Sequence, residues 1–328
     1  MKFLEKLKAR KLSKTLAAVV AGGVLFFGAG NLAEADSNAD FAFRQAYLSV
    51  SQDNRDFVQN IDFFGTTFHA DINTKGNILR DGTMQMSGLF NWAYTNPTNN
   101  LTTNQNIPFY ITQGNEEITL YVQRNGKWSR FSLPGIPSGF ANALKSNDIN
   151  TLQENLKAVR HVELFRESNA QQIFNITLDG RYLAQLMDKY SSNQNNSGLS
   201  SAEIASQANF SRNLQAALQK TDVVCTWTVD KTKNRTVTAV FDFTELMRNY
   251  AKNILNESAA GTIVLTDEER MLMDTIGYYS EFHYAVSYST EENSTANYAP
   301  SSAARKAALN NNIFQDLLSD MTSTVRRR

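Results

Sequence analysis

Residues 78–94 read ILRDGTMQMSGLFNWAY. Met84, Met86, Phe90, Trp92 and Tyr94 fall on every second position, with Gly88 keeping the phase. Thr83, Gln85, Ser87 and Asn91 take the opposite parity. A two-residue repeat sustained this long predicts an extended strand with one apolar face. Flexible Met and broad aromatic rings make up that face, a choice that suits an irregular core or an apolar ligand.

Working outward, Phe57 to Asn73 alternates in two phases, Ile61 and Phe63 on one, Phe64, Phe68, Ala70 and Ile72 on the other. The switch predicts a bulge near Phe63–Gly65, and Asn73–Asn77 reads as a turn into the 78–94 strand. Downstream, Asn96–Asn100 breaks the pattern. Strands follow at Pro108–Gln113, Ile118–Arg124 and Lys127–Leu133, the last two joined by Asn125-Gly126, a strong two-residue hairpin signal. Residues 138–159 read as two helices. Val162–Arg166 and Ile173–Leu178 read as a hairpin, with Asp179 capping the next helix. The segment 191–198 is polar and surface-like, and Ser201–Leu218 is an amphipathic helix. Val223–Asp230 pairs with Arg235–Phe243, and Glu245–Leu255 is helical. Ile276, Tyr278, Phe282, Tyr284, Val286 and Tyr288 alternate as a further strand. Asp40–Val50 and Ala303–Met321 read as the first and last helices of the domain. No Gly/Ser linker divides the chain, so residues 36–328 are expected to form one α+β domain, a strongly curved antiparallel sheet with helices on its concave face.

The N-terminus speaks of compartment. Lys2, Lys6, Lys8, Arg10, Lys11 and Lys14 precede an uncharged run, Leu16–Gly30, and then Ala33-Glu34-Ala35. That order predicts a secretory signal peptide, residues 1–35, cleaved after Ala35, and a periplasmic or extracellular product that does not span the membrane. The whole chain carries 32 basic and 32 acidic residues; residues 1–35 hold six and two of them, leaving 26 against 30. Such a balance excludes nucleic-acid binding by bulk charge. The single cysteine, Cys225, allows no intrachain disulfide, and its place in VVCTWTV predicts a buried thiol.

Three segments carry a family resemblance: GTMQMSGLF (82–90), PFYITQGNEEITLYVQRNGKWSRFSLPG (108–135) and WTVDKTKNRTVTAVFDFTELM (227–247). In this order they resemble the LolA-like periplasmic half-barrel proteins. The resemblance implies an unclosed barrel with a helical lid, and an acyl chain held in the concave face. This chain departs from the lipoprotein members in having no cysteine for acylation near the cleavage site.

Searches for chemistry find little. His69, His161 and His283 lack metal-ligand spacing, and no nucleophile elbow, P-loop or dinucleotide fingerprint is present. His283, beside Glu281, reads as a solvent-face histidine paired with a carboxylate. Catalytic residues, metal and cofactor are therefore all expected to be none. The candidate apolar lining is Met84, Met86, Phe90, Trp92, Tyr94, Trp128, Trp227, Tyr278, Phe282 and Tyr284. The expected partner is a lipid or other apolar small molecule; the alternative is a cell-envelope interaction or scaffold protein with a filled core and no ligand.

Overall fold

The computed structural model describes residues 38–48, 55–66, 68–78, 84–95, 100, 102–113, 118–133, 156–191, 201–265, 267–289 and 297–310. Twelve strands among them form one sheet: β1 Arg55–Phe64, β2 Phe68–Ile78, β3 Met84–Thr95, β4 Thr102–Gln113, β5 Ile118–Arg124, β6 Lys127–Leu133, β7 Val159–Glu167, β8 Gln171–Leu178, β9 Val223–Asp230, β10 Arg235–Asp242, β11 Glu281–Tyr288 and β12 Ala308–Leu309. The spatial order is β12-β6-β5-β4-β3-β2-β1-β11-β10-β9-β8-β7. Every pairing is antiparallel except the short β12–β6 contact, and β7 does not return to β12, so the barrel stays open. The helices are α1 Asn38–Leu48, α2 Gly180–Ser191, α3 Ser201–Leu218, α4 Thr244–Ala259, α5 Asp267–Tyr279 and α6 Ser302–Arg305. This is an α+β half-barrel with helices on the concave face.

Residue parity follows from the turns. Two-residue turn Asn125-Gly126, with φ of 48° and 76°, joins β5 to β6. Positive φ at both positions matches the twist of the flanking strands, which is why Asn-Gly occupies it. The phase switch near Phe63 is a hairpin turn instead of the expected bulge. β1 ends at Phe64 and β2 begins at Phe68, with the Gly65 N–H donating to the Phe68 carbonyl. Phe63 faces Ala70 and Ile61 faces Ile72 across it. Odd residues of β1 therefore share a face with even residues of β2, and the alternation swaps parity with no extra residue. The expected turn at Asn73–Asn77 is the second half of β2. The strand starting at Pro108 extends back to Thr102; Pro108, which cannot donate, stands just outside the β4–β5 ladder that opens at Phe109↔Val122.

A second correction concerns the stretch read as a strand from Ile276. Asp267–Tyr279 is helix α5, closed by Ser280, whose buried hydroxyl donates to the Ile276 carbonyl at 2.7 Å. The strand begins only at Glu281. The last helix among the described residues is the single turn Ser302–Arg305, capped by Ser301, and the chain leaves the expected 303–321 helix for β12 at Ala308–Leu309; the part of that expected helix beyond residue 310 lies outside the described residues. So do most of 191–198, the whole leader and all of the two helices expected over 138–159 except their end, where Leu156–Ala158 form a single 3-10 turn and Val159 already begins β7.

The core lies on one face. Across β2–β3–β4 the rows Ile72–Phe90–Ile107 and Gly76–Met86–Ile111 run at one level. Phe57 and Phe109 lie over the strand glycines opposite them: a Cβ on Gly76 would come 2.6 Å from the Phe57 ring, and one on Gly88 would come 2.6 Å from Phe109. The glycine that keeps the phase in residues 78–94 is thus a recess for an aromatic ring. Helix α1 lays Phe43, Ala46 and Tyr47 against β8–β10. On the same helix Asp40 and Arg44 are buried and paired, Nε to Oδ2 at 2.7 Å. Asp40 lies inside the helix, two residues beyond its first described residue Asn38, and compensates the charge of Arg44, whose Nη1 has no hydrogen-bond partner.

Candidate functional site

The concave face is traced by a continuous chain of rings. Trp227 on β9 lies 6.2 Å from Phe241, which stacks on Phe243 at 5.7 Å and an interplanar angle of 2°. Phe243 contacts Phe282 at 5.8 Å, Phe282 contacts Phe63 at 5.5 Å, and Phe63 contacts Phe68 at 4.9 Å. Phe68 then stacks on Trp92 at 5.8 Å and 10°. Offset stacked and edge-on rings at these separations each add modestly to the burial of their area.

The two ends of that chain differ. Trp227 is 2% exposed, while its indole N–H donates to Thr236 Oγ1 at 2.9 Å and Phe43 meets it edge-on at 5.4 Å. Thr236 reaches inward because Val237 is an extra residue between the pairs Thr236↔Val229 and Thr238↔Thr228, which reverses strand parity at that point. Its hydroxyl also donates to the Ala46 carbonyl of α1 at 3.1 Å. At this end the face is filled core. At the other end Phe63 on β1 and Trp92 on β3 are half-buried in one row, and Ile111, Leu120 and Phe131 on β4, β5 and β6 form a second half-buried row level with Met86.

The residues expected to line the face fall into four groups. Met86, Phe90, Trp227, Phe282 and Tyr284 are buried on the concave side, and Trp92 is half-buried there. Met84 and Tyr94 keep the phase in the register, opposite Ile78 and Phe68; their side chains lie outside what the structure describes. Trp128 is on the outer face. The two-residue turn pairs even residues of β5 with odd residues of β6, so Leu120 and Val122 match Phe131 and Ser129, and Trp128 points the other way onto Tyr110 at 5.2 Å. Tyr278 belongs to α5 and is 58% exposed, with Lys252 Nζ 5.4 Å from its ring. What sequence reading missed are Phe63, Ile111, Leu120 and Phe131; parity counted through the Asn125-Gly126 turn would have found the last two.

Elsewhere, titratable groups meet on the outer face. Asp242, His283, Asp62, Asp71 and Asn91 stand side by side on five adjacent strands. His69 Nε2 lies 2.6 Å from Asp62 Oδ1, and His283 Nε2 lies 3.4 Å from Glu281 Oε2. Among the described residues no group of three or more His, Cys, Asp or Glu could hold a metal ion. Nor is any described helix long and apolar enough to cross a membrane.

Cys225 is 2% exposed, and burial pushes its thiol well above the ordinary value of 9.0; burial likewise raises the Tyr284 phenol above 10.0. Both groups stay neutral in the folded chain, whereas the unfolded chain ionises them. Their contribution to stability is therefore complete below pH 9 and is lost as pH rises. Above about pH 9 the unfolding free energy should fall, by up to about 1.4 kcal/mol per pH unit from the thiol. Urea melts between pH 9 and 10 should show a shallower decline for Cys225→Ala; identical slopes would mean the thiol is not shielded.

No family model matches this sequence, and no curated protein matches it. Among solved structures the chain is similar to LprF from Mycobacterium bovis, known from its crystal structure. The two share 10% identity over 79% of this chain and 98% of that chain, with a TM-score of 0.30. This is a weak, fold-level likeness, and the half-barrel description rests on the sheet topology itself.

Proposed function

We propose that this chain is an exported binding protein, not an enzyme, that holds a lipid or other apolar molecule against the concave face of its open sheet. The observation that carries the proposal is the change along the ring chain, from fully buried Trp227 to half-buried Trp92. Half-buried Phe63 on β1 stands in the same row as Trp92, and a second half-buried row, Ile111, Leu120 and Phe131, continues the face on β4, β5 and β6. Covering them with an apolar ligand would stabilise the complex by roughly 25 cal/mol per Å² removed from water. Export rests on the basic, apolar and Ala-Glu-Ala order of the leader, and its test is the N-terminal sequence of the protein recovered from culture.

Trp92 gives the sharpest test. Replacing it by alanine is expected to cost about 1–3 kcal/mol, less than a fully enclosed tryptophan, because part of its ring already lacks close neighbours. Binding of a fluorescent fatty-acid probe should weaken several-fold in the same variant. Gln85→Ala, on the outer parity of β3, should change stability by less than about 0.5 kcal/mol. A full-core penalty at Trp92 with unchanged probe binding would overturn the carrier reading. The filled half of the face favours a second reading, an envelope interaction or scaffold protein, and native mass spectrometry separates the two. A co-purifying lipid supports the carrier, and a co-purifying envelope protein with no lipid supports the scaffold.

A further inference from the structure

At the β7–β9 end of the sheet, away from Trp92, a surface cavity of about 310 Å³ opens between the start of α2 and the link from α3 to β9. Arg160, Asp179, Arg181, Gln219, Lys220 and Asp222 line it. Both carboxylates are already engaged. Asp179 Oδ1 caps α2, accepting from the Arg181 and Tyr182 backbone N–H groups at 2.8 and 3.2 Å. Asp222 Oδ2 accepts from Arg160 Nη1 at 2.7 Å, and its Oδ1 from the Gly180 N–H at 3.3 Å. The first N–H groups of α2 are thereby used up, so a ligand must be read by side chains. Among the described residues the cationic groups of Arg181 and Lys220 form no ion pair within 4.0 Å, and with Arg160 they outnumber the two carboxylates by one charge in a concavity that also holds the Gln219 carboxamide.

We propose that this cavity binds a phosphate group, carried either by a small soluble ester or by the headgroup of a lipid. Arg181 offers the planar fork that matches phosphate oxygens, and Lys220 adds a point charge. Arg160 is held at the wall by Asp222 and supplies a third cation. The volume exceeds that of a bare phosphate, so the cavity has room for part of the attached group as well. Lys220 lies two residues beyond the carboxyl end of α3, where the helix contributes a partial negative charge; its ammonium outweighs that half charge.

Titration calorimetry of the full mature chain with glycerol 3-phosphate, and sedimentation with phosphatidylglycerol vesicles, distinguish the two sources. Binding of the ester alone assigns a soluble ligand, and binding of the vesicles alone assigns a lipid headgroup. In either case the double variant R181Q/K220Q should weaken binding by roughly tenfold or more. Asp222→Asn, which keeps the acceptor for Gly180 but removes the competing charge, should tighten it. Trp92→Ala should leave it unchanged, so a failure of the apolar-ligand reading does not decide this one. If neither probe binds, or the double variant binds as well as the parent, the site does not exist.

Discussion

Trp227→Ala is expected to destabilise the protein by about 4–5 kcal/mol, at the upper end of what buried aromatic truncations cost. Three effects act together. The ring is 2% exposed and touches Phe43, Tyr47 and Phe241, so its removal leaves a cavity whose walls belong to α1, β9 and β10. The variant also loses the indole bond to Thr236 Oγ1, the hydroxyl that fixes the end of α1 through the Ala46 carbonyl. Finally, Phe43 loses its edge-on partner while keeping Phe174 at 6.3 Å. Equilibrium urea unfolding gives the total, and Trp227→Phe should recover more than half by restoring volume without the N–H. A loss below about 2 kcal/mol for the alanine variant would mean that α1 does not close this end of the face.

Gly180→Ala should cost about 3 kcal/mol or more, far beyond the usual effect of a methyl group at a helix start. A Cβ at this position would lie 1.8 Å from the Thr221 carbonyl oxygen and 2.2 Å from that of Leu218. Both obstacles are backbone, so no rotamer change relieves them. The Leu218 carbonyl is moreover the acceptor of the Thr221 N–H at 3.2 Å, the bond that turns the chain from α3 into β9. Relief therefore requires moving α2 away from that link and breaking the Gly180–Asp222 bond. The measurement is again urea unfolding, with Gly277→Ala as control: a Cβ there meets its nearest neighbour at 3.6 Å. Equal stabilities for the two variants would refute the close approach.

Most of the sheet was legible in the sequence because its turns are local. Asn125-Gly126 set the β5–β6 hairpin to the residue, and Asp179 announced the start of α2 by its side-chain chemistry. Two of the misreadings share a cause. Alternation records parity along a strand but does not say where the strand ends. Around Phe63 a reversal of direction looked like a bulge, and before Glu281 the in-phase pair Ile276 and Tyr278 disguised the last turn of α5. The concave lining was recovered where it lay on one strand, as in Met86, Phe90 and Trp92, and lost where it depended on counting across a turn, as in Trp128. Helix α1 was visible as a helix, but its role against Trp227 was not, because Thr236 and Ala46 are 190 residues apart.

An open sheet has flanks, and the β7 flank carries a safeguard against uncontrolled growth. Among the described residues β7 pairs only with β8, and from Glu163 to Ala170 the chain is exposed throughout. Arg160 and Phe165 are each surplus to the ladder, so two residues on β7 face one on β8 at both places. A foreign strand seeking to add itself there would find the row of backbone donors and acceptors interrupted twice, and would have to accommodate Glu163, Arg166 and Glu167 along the way. The half-barrel can thus remain open without offering this margin as a template for fibrils.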